Sequence, residues 1–101
     1  MLIINTTYQV TESHEEAWKK WVLDEYAPQV SATGILVNPS FFRLLIENEV
    51  GMVSYALQFE VSDLDALDNW FKSSGKSLQN SMSNHFDDKV LGFTTVMEKL
   101  L

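Results

Sequence analysis

The stretch FFRLLIENEVGMVSYALQFEV, residues 41–61, decides the fold of this 101-residue chain. It contains two runs rich in apolar and aromatic residues, 41–47 and 52–61, and a short polar segment with a glycine, 48–51, separates them. Two such runs with a short glycine-containing connection are typical of a β-hairpin. The stretch therefore predicts two antiparallel strands in the middle of the chain.

The hairpin also predicts which residues face each other. A tight turn centred on the connection pairs Arg43 with Ala56 and Phe41 with Gln58. Successive side chains of a strand point to opposite faces of a sheet. On this register we expect Phe41, Arg43 and Gln58 to share one face.

A helix pattern and a further strand pattern lie on each side of the hairpin. The spacing predicts a helix opened by a Ser13–Glu16 capping box and ending or kinking before Pro28, which lacks an N–H. A second helix begins after Ser62 as its N-terminal cap and runs towards residue 86. Alternating apolar residues predict strands at 2–10 and 90–97.

The resulting order, β-α-β-β-α-β, is that of the ferredoxin-like split βαβ fold in the α+β class. Right-handed crossovers place both helices on one face of a four-stranded antiparallel sheet. A chain of this length is expected to form a single domain over residues 1–101.

The face of the sheet opposite the helices has a mixed composition. It combines amides, hydroxyls and the single Arg of the chain with apolar residues: Ile3, Asn5, Thr7, Gln9, Phe41, Arg43, Leu45, Met52, Ser54, Ala56 and Gln58. This composition favours a homodimer packed sheet to sheet around an amphiphilic cavity, since two-fold dimers are the commonest soluble oligomers. A solvated face in a monomer is the alternative.

Composition and charge exclude several classes of function. Seven basic against 14 acidic residues give a net charge of −7, which disfavours nucleic acid and anionic membrane surfaces as partners. The absence of Cys excludes disulfides and thiolate chemistry. The two His residues match no metal-binding spacing, and the four scattered Gly residues form no phosphate-binding loop, so we expect neither metal nor cofactor. We expect a cytoplasmic protein, because the N-terminus lacks the pattern of a signal peptide.

Several segments resemble an uncharacterised family of small bacterial proteins in the dimeric α+β-barrel group. They are Trp18-Lys19-Lys20-Trp21, Pro28 with Val30, Ala32-Thr33-Gly34, residues 54–59 and Gly92-Phe93-Thr94-Thr95. The resemblance implies a ferredoxin-like protomer and a sheet-to-sheet dimer, and it implies no established activity. The chain departs from the family where it carries Tyr26 and Thr94, because members tend to carry His and Arg at these two places.

Six residues are candidates for binding a ligand. Arg43 could anchor a carboxylate or phenolate, or it could be an edge-strand charge that discourages aggregation or pair with an acidic residue across the dimer. Asn5, Thr7 and Gln58 could orient a ligand, or they could bond to the dimer mate or to water. The other two candidates are Phe41, beside Arg43, and Tyr26, which could polarise a carbonyl or simply pack its ring.

These features leave three functions open. The first is a non-catalytic binder of a small apolar or aromatic molecule between the two sheets of a homodimer. The second, by analogy of fold, is a cofactor-free monooxygenase or isomerase of the dimeric α+β-barrel type. The third is a structural or interaction module in which the acidic exterior recognises a basic partner.

Overall fold

A four-stranded antiparallel sheet forms the base of the structure, a computed structural model that describes residues 1–101. Its strands are β1 (Leu2–Thr11), β2 (Val37–Arg43), β3 (Met52–Val61) and β4 (Val90–Glu98). They lie in the order β2-β3-β1-β4. This order, with two long central strands and two edge strands, confirms the predicted ferredoxin-like topology.

Two helical segments cover one face of the sheet, and each contains a π turn. The first consists of α1 (Glu15–Trp21), a π turn (Val22–Tyr26) and α2 (Ala27–Ala32). The second consists of α3 (Leu64–Trp70), a π turn (Phe71–Gly75) and α4 (Lys76–Phe86). Short 3₁₀ turns, Glu12–His14 and Asp87–Lys89, precede the first segment and follow the second. None of these helices is long and apolar enough to cross a membrane.

The first helical segment continues through Pro28, although the sequence predicted an end or a kink before it. The π turn lies directly before the proline, and the N–H of Ala27 donates to the carbonyl of Val22. Pro28, the second residue of α2, has no N–H to donate to the preceding turn. The wider π turn therefore lets the chain stay helical where a regular α-helix would be interrupted.

The predicted helix caps are wrong at both helical segments. Ser13 Oγ lies 3.0 Å from Nδ1 of His14, and the carboxylate of Glu16 pairs instead with Lys19. At α3 the cap is Asp63, whose Oδ1 accepts a hydrogen bond of 2.8 Å from the N–H of Ala66. An ionised carboxylate at a helix start also interacts favourably with the helix dipole.

The register of β2 is one residue away from the prediction. Arg43 lies opposite Tyr55 and Phe41 opposite Leu57, so the predicted pairing with Ala56 and Gln58 is wrong. Because side chains alternate, this shift turns Phe41 and Arg43 towards the helices. The strand also ends at Arg43, and residues 44–51 form a wide connection in which Asn48 accepts a hydrogen bond from Ser54 Oγ.

The hydrophobic core lies between the sheet and both helical segments, and it includes Trp18. The Trp18 side chain is fully buried. Its ring centroid lies 5.1 Å from that of Tyr8, 5.3 Å from that of Tyr55 and 5.7 Å from that of Phe41. The contacts with Tyr55 and Phe41 are edge-to-face, an arrangement that is favourable beyond the area it buries. This packing fixes Phe41 on the helix side of β2.

Candidate functional site

A cavity of about 640 Å³ lies between the second helical segment and the β1–β4 half of the sheet. Ten of its 16 lining residues are hydrophobic. They come from six elements: Ile4, Thr6, Tyr8, Tyr26, Leu64, Leu67, Asp68, Trp70, Phe71, Gln79, Met82, Ser83, Val90, Gly92, Thr94 and Val96. The volume falls in the range of about 300–1,000 Å³ that is usual for small-molecule sites. The cavity is therefore large enough for an aromatic ligand.

Two tyrosines, Tyr8 on β1 and Tyr26 in the first π turn, line the cavity. Each is about nine-tenths buried or more, with 6% and 7% of its surface exposed. Burial raises the pKa of the Tyr8 phenol well above its ordinary value, and the neighbouring phenol of Tyr26 raises it further. Burial also raises the pKa of Tyr26. Both phenols are thus protonated at neutral pH, when they can serve as hydrogen-bond donors.

Gly92 makes room for one of these rings. It lies opposite Tyr8 in the β1–β4 pairing, and a Cβ atom placed on it would approach ring atom Cδ1 of Tyr8 to 2.9 Å. A separation below 3.0 Å between such atoms requires one of them to move. The absence of a side chain at Gly92 therefore allows the Tyr8 ring to lie over β4 at the cavity wall.

A pair of hydroxyl groups and one carboxylate complete the polar lining. Thr6 Oγ1 and Thr94 Oγ1 lie 2.9 Å apart across β1 and β4. The Asp68 carboxylate is paired with Nζ of Lys72 at 2.8 Å, and its side chain is 60% exposed. The cavity thus offers neutral hydroxyls inside, together with one carboxylate that is already paired with a lysine.

Of the six candidate ligand-binding residues, Tyr26 alone lines this cavity. Asn5, Thr7 and Gln58 lie on the open face of the sheet, as predicted. There Gln58 Nε2 donates to Asn5 Oδ1 at 3.1 Å, and Asn5 Nδ2 donates to Thr7 Oγ1 at 3.2 Å. These half-buried side chains therefore form hydrogen bonds with one another on the open face, as polar groups withdrawn from water require.

The placement of Arg43 and Phe41 on the open face is wrong, because the register of β2 turns both towards the helices. Arg43 Nε lies 3.6 Å from Glu15 Oε2, and the same oxygen accepts a hydrogen bond of 2.6 Å from the Tyr55 hydroxyl. Burial, followed by this hydrogen bond, raises the pKa of Tyr55 to about 12. Arg43 therefore has an acidic partner within the protomer, and it lies outside the cavity.

Sequence reasoning missed most of the cavity residues. Alternation along β1 puts Tyr8 on the face opposite to Asn5 and Thr7, towards the helices, where it is buried, but nothing in the sequence indicates that it lines a cavity. Thr94 was noted only as a departure from the resembled family, together with Tyr26. Both positions line the cavity. For Thr94 the departure from the family is the sequence signal that points to the cavity, and for Tyr26 it adds to the chemistry of the phenol.

Residues 1–100 match a family described as a domain of unknown function, DUF4286. The chain belongs to this family. The match covers nearly the whole sequence, so the resemblance to an uncharacterised family is confirmed. No curated protein is detectably similar to this sequence.

Solved structures with low sequence identity share the fold. HapK from Hahella chejuensis is 15% identical, with a TM-score of 0.75, and the match covers 99% of this chain and 93% of HapK. SnoaB from Streptomyces nogalater, described as a cofactor-independent oxygenase, is 11% identical, with a TM-score of 0.68. The match covers 99% of this chain and 94% of SnoaB.

A dimeric ferredoxin-like protein from an uncultured marine organism is 14% identical, with a TM-score of 0.59. The match covers 99% of this chain and 95% of that protein. At these identities the similarity establishes the fold of this chain and leaves its chemistry to the arrangement of its own residues.

Proposed function

We propose that this protein is a homodimer that binds a small apolar or aromatic molecule in the cavity between its sheet and its second helical segment. The observation that carries the proposal is the cavity of about 640 Å³, in which hydrophobic residues predominate. Ligand sites are typically concave and apolar, with a few polar groups that fix orientation. The sequence suggested a ligand between two sheets, whereas the cavity within the protomer favours the helix side.

The open face of the sheet supports dimerisation. Four large apolar side chains on this face are between 39% and 66% exposed: Phe42, Leu91, Phe93 and Met97. They alternate along β2 and β4 with residues that face the helices. Three of the four, Leu91, Phe93 and Met97, lie together on the edge strand β4, and exposed apolar residues grouped in this way are characteristic of an interaction surface. The fold neighbour described as a dimeric ferredoxin-like protein is consistent with a second copy of the chain as the partner.

Binding can be tested with naphthalene and two tryptophan variants of adjacent residues on α4. Ser83 lines the cavity, whereas Asn84 does not, and both are exposed. We expect naphthalene to bind the unaltered protein. Ser83→Trp should weaken this binding at least about tenfold, because the indole fills the cavity. Asn84→Trp should leave the affinity for naphthalene unchanged. Equal affinity of all three proteins, or no binding to any, would refute the proposal.

A second candidate function is cofactor-free oxygenation of an aromatic substrate. It is supported by the fold neighbour described as a cofactor-independent oxygenase and by the phenols of Tyr8 and Tyr26 beside the cavity. Hydrogen-bond donors fixed in an apolar site can stabilise negative charge that develops on a substrate oxygen. Oxygen uptake with anthrone, compared between the unaltered protein and Tyr26→Phe, tests this candidate. No uptake above the uncatalysed rate would rule out anthrone oxidation and leave ligand binding.

A further inference from the structure

The ionisable groups around the cavity are few. The lining residues include no Lys, Arg or His, and the one carboxylate, Asp68, is paired with Lys72. The chain as a whole carries a net charge of −7. A charged ligand entering this cavity would therefore meet no unpaired group of opposite sign, and an anion would also be repelled by the surrounding protein.

The polar groups inside the cavity are hydroxyls, and they are neutral at physiological pH. Burial keeps the phenols of Tyr8 and Tyr26 protonated, as their raised pKa values show. Tyr26 lines the cavity, and its protonated phenol can donate a hydrogen bond to an acceptor placed there.

The cost of burial separates neutral from charged ligands. Moving a carboxylate out of water without a cation is far more costly than moving a carbonyl or hydroxyl, which needs only a hydrogen bond as compensation. We infer, on the basis of the proposed function, that the ligand is an uncharged aromatic molecule with a carbonyl or hydroxyl oxygen, and that Tyr26 donates a hydrogen bond to that oxygen. Carboxylates of the same shape are rejected.

The exposure of the lining residues predicts how the ligand is oriented in the cavity. Leu64, Phe71 and Val96 line the cavity and are 65%, 41% and 43% exposed, so they form an apolar rim. Tyr8 and Tyr26 are buried. The oxygen of the ligand therefore points inward to the tyrosines, and its apolar body lies against the rim.

Three probes with the same ring system test this inference by titration calorimetry on the full chain at pH 7.5. They are naphthalene, 2-acetylnaphthalene and 2-naphthoate. One hydrogen bond is worth up to about 1.5 kcal/mol, so we expect the ketone to bind up to about tenfold more tightly than naphthalene. We expect the carboxylate to bind at least about 30-fold more weakly than the ketone.

The outcomes separate this inference from the proposed function. If 2-naphthoate binds as tightly as the ketone, the inference is overturned while ligand binding in the cavity stands. If neither naphthalene nor the ketone binds, the proposed function itself fails. The comparison uses the unaltered protein, so it does not depend on whether any variant folds.

The role of Tyr26 is tested by Tyr26→Phe, which removes the hydroxyl and keeps the ring. We expect the variant to lose the preference for the ketone over naphthalene. Tyr55→Phe is the matched control, because the Tyr55 hydroxyl bonds to Glu15 outside the cavity. An undiminished preference for the ketone in Tyr26→Phe would contradict the assigned role.

A charge introduced at the cavity wall tests the rejection of anions. Thr94 lines the cavity and is exposed, so a lysine side chain can be accommodated there. We expect Thr94→Lys to raise the affinity for 2-naphthoate about tenfold, because a cation compensates the buried carboxylate. No gain, in a variant with a native circular dichroism spectrum, would contradict the electrostatic explanation.

Discussion

The Tyr8 ring occupies the space that a side chain at Gly92 would fill. A Cβ atom at position 92 would lie 2.9 Å from both Cδ1 and Cε1 of Tyr8, and the two residues face each other across β1 and β4. Tyr8 is 6% exposed, so its ring has little freedom to move aside. One wall of the cavity therefore depends on the pairing of a large residue with the smallest one.

We expect Gly92→Ala to destabilise the protein by about 1–3 kcal/mol, the usual cost of overpacking. The displaced Tyr8 ring should also weaken naphthalene binding. Urea denaturation measures the first effect and calorimetry the second. In a double-mutant cycle, Tyr8→Leu should remove much of the cost of Gly92→Ala, since the smaller side chain relieves the clash. If the changes in unfolding free energy of the two single variants simply add in the double variant, the contact between Tyr8 and position 92 has no energetic consequence.

The N-terminal cap of α3 can be tested with two adjacent variants. Asp63→Ala removes the acceptor of the hydrogen bond from the N–H of Ala66, and we expect it to cost about 0.5–2 kcal/mol. Ser62→Ala is the control, because Ser62 is exposed and makes no capping contact with α3. Thermal unfolding compares the two. A larger loss of thermal stability for Ser62→Ala than for Asp63→Ala would show that Ser62 is the cap, as the sequence predicted.

Dimerisation through the open face predicts that Phe93→Glu produces monomers. The Phe93 side chain is 66% exposed in the protomer, and a buried carboxylate at a dimer interface would have no partner. Leu23→Glu is a matched control, because Leu23 is 53% exposed in the first helical segment on the other side of the sheet. Light scattering gives the masses. A monomeric unaltered protein, or a dimeric Phe93→Glu, would contradict the proposed dimer.

The contact between Tyr55 and Glu15 predicts a loss of stability at alkaline pH. The pKa of Tyr55 is raised to about 12 in the folded state, against an ordinary value of 10.0. The folded state thus favours the protonated phenol, and this stabilisation is fully present below pH 10. It is lost as the pH rises from about 10 to about 12.

Ultraviolet titration of the phenols tests the cause of the Tyr55 shift. We expect Glu15→Gln to lower the pKa of Tyr55 only in part, because burial contributes more than the carboxylate does. Glu16→Gln is the control, since Glu16 is the last of the contributors to the shift. Identical titration curves for Glu15→Gln and the unaltered protein would contradict the assigned contact.

Much of the fold was predictable because its signals are local. The alternation in β1 and β3 puts Tyr8, Tyr55 and Leu57 on the face opposite to Asn5 and Gln58, towards the helices, and all three are buried there. The same period-two pattern placed Asn5 and Gln58 together on the open face, where they share a hydrogen bond. The alternation of side chains along a strand can be recognised from the sequence of that strand alone.

The register of β2 was not predictable in the same way. Residues 41–47 carry large apolar side chains on both faces, so their alternation does not select one pairing. The choice is made by the packing of Phe41 against Trp18 and by the hydrogen bond from Ser54 to Asn48. The first contact joins distant parts of the chain, and a shift of one residue reverses every side chain of the strand.

The sequence by itself determined the order of the elements, the ferredoxin-like topology and the acidic character of the protein, because each follows from residue types and local spacing. Only the tertiary structure decided where a ligand could bind. The cavity is lined by residues from six elements, from Ile4 to Val96, and no short stretch of sequence contains it. Its wall at β4 forms because Gly92 lets the Tyr8 ring lie over that strand. The second helical segment leaves a space of about 640 Å³ between itself and strands β1 and β4.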